Sequence, residues 1–271
     1  MLFLQGATAY SASFTELKAP ESRRLLYSLP KNFNGNAMIF FHGAQGNAQV
    51  LLDNAPTADI IQRMLDAGFL VVLPEARQSF KVGAYLASWE SSTVTNPDTH
   101  FVDWIMDTAR QALPQLKDIY LMGGSNGVSM ASRIAKNHPE VAGLVAMNGL
   151  DADQLSVDAN GVLMTNDTFT IPATHAPMLM ISSKQDGMLS FVDQQKYLKK
   201  ARLAGISVMV FINETAGHNW GEWTEQYHDD IVGWLKNSIK AMLSESTQRR
   251  LLLADKVCLC PLFAIVYPIK K

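Results

Sequence analysis

The pentapeptide Gly123-Gly124-Ser125-Asn126-Gly127 lies between two stretches of different character. Before it, Lys117-Asp118-Ile119-Tyr120-Leu121-Met122 is short and mostly apolar, and reads as a buried strand. After it, Val128-Ser129-Met130-Ala131-Ser132-Arg133-Ile134-Ala135 reads as a helix. A strand that gives way to a helix across one serine, with glycine two positions before and two after, predicts a sharp elbow. Such a turn strains the serine backbone and lifts its hydroxyl clear of the sheet edge. Side chains at 123 and 127 would collide across it, which is the reason for glycine at both positions. Small residues also cluster by chance, so the pentapeptide alone is a weak signal. The flanking strand and helix are what set it apart from an ordinary turn.

A hydroxyl is a poor nucleophile at neutral pH, so Ser125 needs a base, and the base needs an orienting carboxylate. After an elbow of this kind the expected order along the chain is serine, then acid, then histidine. Pro177-Met178-Leu179-Met180-Ile181-Ser182-Ser183 reads as a strand, followed by Lys184-Gln185-Asp186-Gly187. Ser207-Val208-Met209-Val210-Phe211-Ile212 reads as the next, followed by Asn213-Glu214-Thr215-Ala216-Gly217-His218-Asn219-Trp220. Loops that follow parallel strands share one edge of the sheet, so Asp186 and His218 are expected beside Ser125. Asp151 and Asp153 also follow a strand, and Asp193 falls within a helix; these are the rival acids.

The remaining segments alternate. Tyr10 to Leu17 and Arg23 to Leu29 read as an antiparallel hairpin turning at Pro20-Glu21. Ala37-Met38-Ile39-Phe40-Phe41 is apolar throughout, as in a central strand covered on both faces. Asp59 to Ala67 has helical spacing up to Gly68, and Phe69 to Pro74 reads as a strand. Asp98 reads as the cap of a helix that ends before Pro114, and Gly143 to Met147 as a further strand. The pattern predicts an α/β fold: a doubly wound, mostly parallel sheet with helices on both faces. One domain is expected over residues 1–247, with a C-terminal tail of unknown role over 248–271. Insertions at Arg77 to Pro97 and Asp151 to Ala176 should wall the substrate site. Neither is long enough for a large lid.

Composition narrows the function further. The 271 residues carry a formal net charge of −2 and are 48% hydrophobic. No basic stripe suggests nucleic-acid binding, and no apolar stretch is long enough for a membrane span. Both cysteines, Cys258 and Cys260, lie in the tail, and no Cys/His spacing suggests a metal site. Nothing in the sequence calls for a cofactor. Met1-Leu2-Phe3-Leu4 either leads into a first strand, consistent with a cytoplasmic protein, or is the remnant of an export signal.

Acyl-bond hydrolysis also needs donors for the oxyanion that forms on the carbonyl oxygen. The backbone N–H of Asn126 opens the elbow helix and is one candidate. The other is Ala44, with Gln45 behind it, in the loop His42-Gly43-Ala44-Gln45-Gly46-Asn47. His42 is expected to shape this loop rather than react. Gln45, Trp89 and Trp220 are candidates for substrate contact, while Trp223 reads as helix packing. His138 reads as the end of the elbow helix. His100 and His228 read as helix-surface residues, and His175 as solvent-facing.

These motifs resemble the α/β-hydrolase superfamily, and within it the polyhydroxybutyrate depolymerase and feruloyl esterase group. The resemblance runs from Arg24-Leu25-Leu26-Tyr27-Ser28-Leu29-Pro30 through Phe41-His42-Gly43 to Gly124-Ser125-Asn126-Gly127, Met130 and His138-Pro139. It resumes from Pro177 to Asp186 and ends at Gly217-His218-Asn219-Trp220, covering most of residues 20–237. It implies an ester hydrolase with Ser125 as nucleophile, Asp186 as orienting acid and His218 as base. The chain departs from the depolymerases in reading His-Gly-Ala where they often carry His-Gly-Cys. A short or medium ester is therefore the expected substrate, ahead of a polymer. A peptidase, a thioesterase and a non-catalytic binder on the same scaffold stay open, since the same residues serve several reactions.

Overall fold

The computed structural model describes residues 13–77, 88–157, 163–219, 221 and 224–237. The strands are β1 (Thr15–Lys18), β2 (Arg24–Ser28), β3 (Asn36–Phe41), β4 (Leu70–Pro74), β5 (Asp118–Gly124), β6 (Gly143–Met147), β7 (Leu155–Val157), β8 (Leu163–Thr165), β9 (Met178–Ser183) and β10 (Val208–Asn213). The helices are α1 (Ala48–Asp53), α2 (Ala55–Asp66), α3 (Pro97–Ala112), α4 (Asn126–Asn137) and α5 (Phe191–Leu203), and residues 228–237 are also helical. Among the described residues, eight strands form one sheet in the order β1-β2-β4-β3-β5-β6-β9-β10. From β4 to β10 every pairing is parallel, whereas β1 and β2 form the antiparallel hairpin at one edge.

The continuous apolar runs follow from burial on both faces. Along β3, Ala37, Ile39 and Phe41 enter a core with Phe101 and Ile105 of α3, Val128 and Ile134 of α4, and Tyr197 of α5. Met38 and Phe40 point the other way, into a core with Ile60 and Met64 of α2 and with Ile231 and Leu235. A strand covered on both sides has no polar face, so its sequence shows no alternation. Truncating Phe40 or Phe41, both fully buried, to alanine would cost about 3–5 kcal/mol.

Two helix starts differ from the sequence reading. α2 begins at Ala55, capped by Asn54, whose side chain accepts from Thr57 N. It stops at Gly68, where φ is +89° and a Cβ would sit 2.7 Å from Asn32 O. α3 is capped by Asn96, not Asp98: the Asn96 side chain accepts from the N–H groups of Asp98 and Thr99. Proline at 97 explains the shift. It suits the first helical position and pushes the preceding residue to extended backbone, here φ −159°. Asp98 is buried and pairs with Arg23 at 2.6 Å, tying the edge hairpin to α3.

Two histidines read as exposed are buried. His175 Nδ1 bonds Ala176 O, and His228 bonds Asp59 at 2.7 Å. His100 is exposed. The insertion after β6 carries the β7–β8 hairpin. The N-terminal segment before residue 13, Tyr85, Trp220, Trp223 and the tail over 248–271 lie outside the described residues. Among the described residues, no helix is long and apolar enough to cross a membrane.

Candidate active site

Ser125 stands between β5 and α4 with φ 53° and ψ −124°, a region that side-chain-bearing residues rarely occupy. Its backbone N–H donates to Met147 O at 3.0 Å. The flanking glycines make the turn possible. A Cβ on Gly123 would lie 2.4 Å from the carbonyl carbon of Gly127, and one on Gly127 would lie 2.3 Å from Phe41 O. Gly149, which no motif singled out, is equally constrained: its Cβ would be 2.2 Å from Val128 Cβ and 2.8 Å from Ser125 O.

Three side chains from three loops meet at this elbow. His218 Nε2 is 2.9 Å from Ser125 Oγ, and His218 Nδ1 is 3.0 and 2.9 Å from the two carboxylate oxygens of Asp186. An ionised carboxylate only accepts, so Nδ1 carries the hydrogen and Nε2 is left to accept the Ser125 proton. The Asp186 side chain has no exposure, while that of His218 is 18% exposed. Burial alone would raise the Asp186 pKa. The hydrogen bond from His218 and those from the Leu189 and Met188 N–H groups outweigh it, holding the carboxyl below its ordinary value. Gln194 adds Nε2 at 3.4 Å from Asp186 Oδ2 and is itself fixed by donating to Leu189 O at 2.9 Å. It lies inside α5 with no local signature, and the sequence reading missed it.

The rival acids are engaged elsewhere. Asp151 accepts from Ser132 Oγ at 2.6 Å and pairs with Lys136; Asp153 pairs with Arg133 and Lys136. Asp193 pairs with Lys196. His138, at the end of α4, meets Asp103 and Glu140.

The loop after β3 forms a tight turn in which Gly46 N donates to Gly43 O at 3.0 Å and Gln45 takes φ 65°. His42 is buried beneath it. Its Nδ1 is 2.7 Å from Gly43 O, and its Nε2 accepts from Ala76 N at 3.1 Å. Burial lowers its pKa to about 4. A neutral ring with one donor and one acceptor satisfies both partners.

Trp89 is a correction to the sequence reading. It is fully buried, so it does not face a substrate. Its indole N–H donates to His42 O at 2.9 Å, and its backbone N–H donates to Asn126 Oδ1 at 2.6 Å. Asn126 Nδ2 donates back to Trp89 O at 3.3 Å. The ring meets Phe41 edge-on at 5.2 Å between centroids. Trp89 thus braces the loop after β3 against the first residue of α4.

A cleft of about 220 Å³ opens beside this loop, lined by Ala44, Gln45, Val50, Leu51, Asn54 and Asn219, among others. Its walls come partly from α1 and α2, which the sequence did not single out, and they include Gln45, one of the candidates for substrate contact. α1 is six residues long, capped by Asn47, and too short to show periodicity.

No family model and no curated protein matches the chain. Solved structures do. The esterase Pf2001 of Pyrococcus furiosus superposes with a TM-score of 0.63 at 16% identity, over 84% of this chain and 92% of that one. Acetyl xylan esterase from Aspergillus awamori gives 0.63 at 13% identity, over 80% and 98%. A putative alpha/beta hydrolase from Agrobacterium tumefaciens gives 0.62 at 15%, over 84% and 97%. At these identities the likeness is one of architecture, and it accords with the eight-stranded sheet and its strand order. The chain has the α/β-hydrolase fold.

Proposed function

We propose that this protein is a serine ester hydrolase acting through a covalent acyl-enzyme. One observation carries the reading: the chain of hydrogen bonds from Ser125 Oγ through the His218 ring to the Asp186 carboxylate. In the first step His218 Nε2 takes the hydroxyl proton as Ser125 Oγ attacks the ester carbonyl. The backbone N–H groups of Asn126 and Ala44 are the proposed donors to the oxyanion. Asn126 opens a helix, where an N–H has no partner within the helix and the dipole favours negative charge. His218 then returns the proton to the departing alkoxide, leaving the acyl group on Ser125. Water, activated by the same Nε2, releases the acid and restores the serine.

The cleft beside Ala44 and Gln45 is smaller than the roughly 300–1,000 Å³ usual for drug-sized ligands. We infer that the acyl group enters this cleft, whose size suits short or medium acyl groups better than long chains. The structural neighbours include proteins named as esterases, which supports an ester, and the sequence resemblance to feruloyl esterases and depolymerases extends the candidates to aromatic esters and polyesters.

A fluorophosphonate probe should label the native protein and fail to label Ser125→Ala. p-Nitrophenyl acetate should be turned over by the first and not by the second. Turnover by a folded Ser125→Ala protein would overturn the reading. A peptide amide or an acyl-thioester cleaved faster than every ester would redirect it to a peptidase or thioesterase.

A further inference from the structure

We propose that Asn148 is a positioning residue that holds the His218 loop and the Asp186 loop in register; the inference rests on the serine hydrolase reading. Asn148 is the first residue after β6, and no motif marks it. It is completely buried and has φ 48°, the left-handed region. Asparagine tolerates that conformation better than most residues, so backbone geometry alone could account for its presence. Glycine would serve a purely conformational need as well. The side chain has further work.

The sheet stops supplying hydrogen bonds just where the functional loops begin. The pairing of β9 with β10 ends at Ser183 opposite Asn213. Asp186 lies three residues past that point and His218 five. Across the gap reaches the Asn148 carboxamide. Its Oδ1 accepts from Ser183 N at 2.8 Å, and its Nδ2 donates to Gly217 O at 3.3 Å. The Ser183 hydroxyl donates to Ala216 O, the carbonyl one residue earlier. Two successive carbonyls immediately before His218 are therefore held from the β6 and β9 side. The backbone N–H of Asn148 donates to Ile181 O at 2.8 Å, and the preceding carbonyl, Met147 O, receives Ser125 N. Residues 147 and 148 thus bond to the serine elbow, the acid-bearing strand and the histidine loop. Asn148 is placed to act through these segments, not on the reacting atoms.

An imidazole that must meet a hydroxyl on one side and a carboxylate on the other tolerates little displacement, and misplacement by about 1 Å can cost on the order of a hundredfold. Loss of the carboxamide should therefore reduce turnover more than substrate affinity.

The test uses the full chain with p-nitrophenyl acetate and a fluorophosphonate probe. Asn148→Gly keeps the backbone conformation and removes the carboxamide. Asn148→Asp keeps an acceptor for Ser183 N and loses the donor to Gly217 O. Asn96→Ala, which removes the cap of α3, controls for general loosening. We expect Asn148→Gly to lower kcat and the probe-labelling rate about 10- to 100-fold with KM within threefold. Asn148→Asp should fall between it and the native protein, and Asn96→Ala should keep kcat within twofold. Asn148→Gly and Ser183→Ala should be non-additive in kcat, because both hold the same loop. The proposal is overturned if folded Asn148→Gly keeps kcat within threefold. It is equally overturned if the loss lies in KM, or if Asn96→Ala loses as much turnover. Should Asn148→Gly not fold, native-like kcat in Asn148→Asp would overturn it and a selective kcat loss would support it. Ser125→Ala is assayed in parallel. An inactive Ser125→Ala beside a native-like Asn148→Gly sinks only the positioning role, whereas an active Ser125→Ala sinks the hydrolase reading beneath it.

Discussion

A neutral histidine beneath the loop after β3 should make the fold acid-labile by a calculable amount. His42 is 1% exposed. Protonating its Nε2 would turn the acceptor for Ala76 N into a second donor facing a donor. Burial, the largest cause, moves its pKa from 6.5 to about 4, and the nearby Arg23 charge acts in the same direction. The sign follows from proton counting. Between about pH 4 and 6.5 the unfolded chain holds a proton on residue 42 that the folded chain does not, so stability rises with pH in that window. The contribution is fully present above about pH 6.5 and is lost as the pH falls through about 4. At about 1.4 kcal/mol per pH unit the whole window is worth about 3 kcal/mol, of which about 2 kcal/mol falls between pH 7 and 4.5. Urea unfolding of the native protein and His42→Gln at those two pH values isolates the effect. The cost of the substitution at pH 7 cancels in the difference, as does the same-sign contribution of His175, whose pKa burial also lowers. The native protein should lose about 2 kcal/mol more than His42→Gln on acidification. Equal losses within about 0.5 kcal/mol would refute the reasoning and mean that residue 42 is protonated, or unburied, in the folded protein.

Asp186→Asn should keep the fold and lower kcat by roughly 10³–10⁴-fold, by allowing the wrong imidazole tautomer; the same loss from Asp151→Asn or Asp193→Asn instead would reassign the acid. Gly127→Ala sets two effects against each other. Helix propensity favours alanine by about 1 kcal/mol, but its Cβ would lie 2.3 Å from Phe41 O, so a lower melting temperature is expected and a higher one would mean that the elbow is looser than it looks. Trp89→Phe keeps a ring against Phe41 but leaves His42 O without its donor, a loss of about 1–3 kcal/mol. Chemical denaturation measures that cost, and a kcat loss with KM preserved would show that the brace matters to the proposed oxyanion donor in the loop after β3.

The features legible in the sequence are those whose physics is local. A strand buried on both faces is a run of apolar residues, and β3, β4 and β9 announce themselves that way. The elbow is local in part: the contact that demands glycine at 123 spans at most five positions, whereas the one that demands it at 127 is with Phe41 of the neighbouring strand β3. Capping was harder. Asn96 and Asp98 are both good caps, and only the geometry imposed by Pro97 decides between them. What the sequence hid is what long-range packing decides. His228 sits on a helix and finds Asp59, 169 residues earlier, so its burial has no local trace. Trp89 precedes a segment rich in polar residues, Glu90 to Asn96, and is nonetheless a core residue, because His42 and Asn126 supply partners for its polar groups. Gln194 and Asn148 touch the acid and histidine loops across 8 and 69 positions, and neither spacing repeats a pattern.

The division has a topological origin. In a parallel sheet the C-terminal ends of neighbouring strands lie along one edge, so residues placed just past β5, β9 and β10 converge whatever separates them in sequence. Strand recognition plus chain order is then enough to find Ser125, Asp186 and His218. Holding them in hydrogen-bond contact is a different problem, because the ladder has ended by the time these residues appear. Side-chain amides and a buried indole take over the role that backbone pairing plays within the sheet: Asn148 between β6 and the two later loops, Gln194 behind Asp186, and Trp89 between the loop after β3 and α4. Such braces need only one donor or acceptor at one point in space, and many residue types on many elements could supply it. The groups proposed to react are therefore written in the sequence as a pattern, while the groups proposed to hold them still are visible only once the chain is folded.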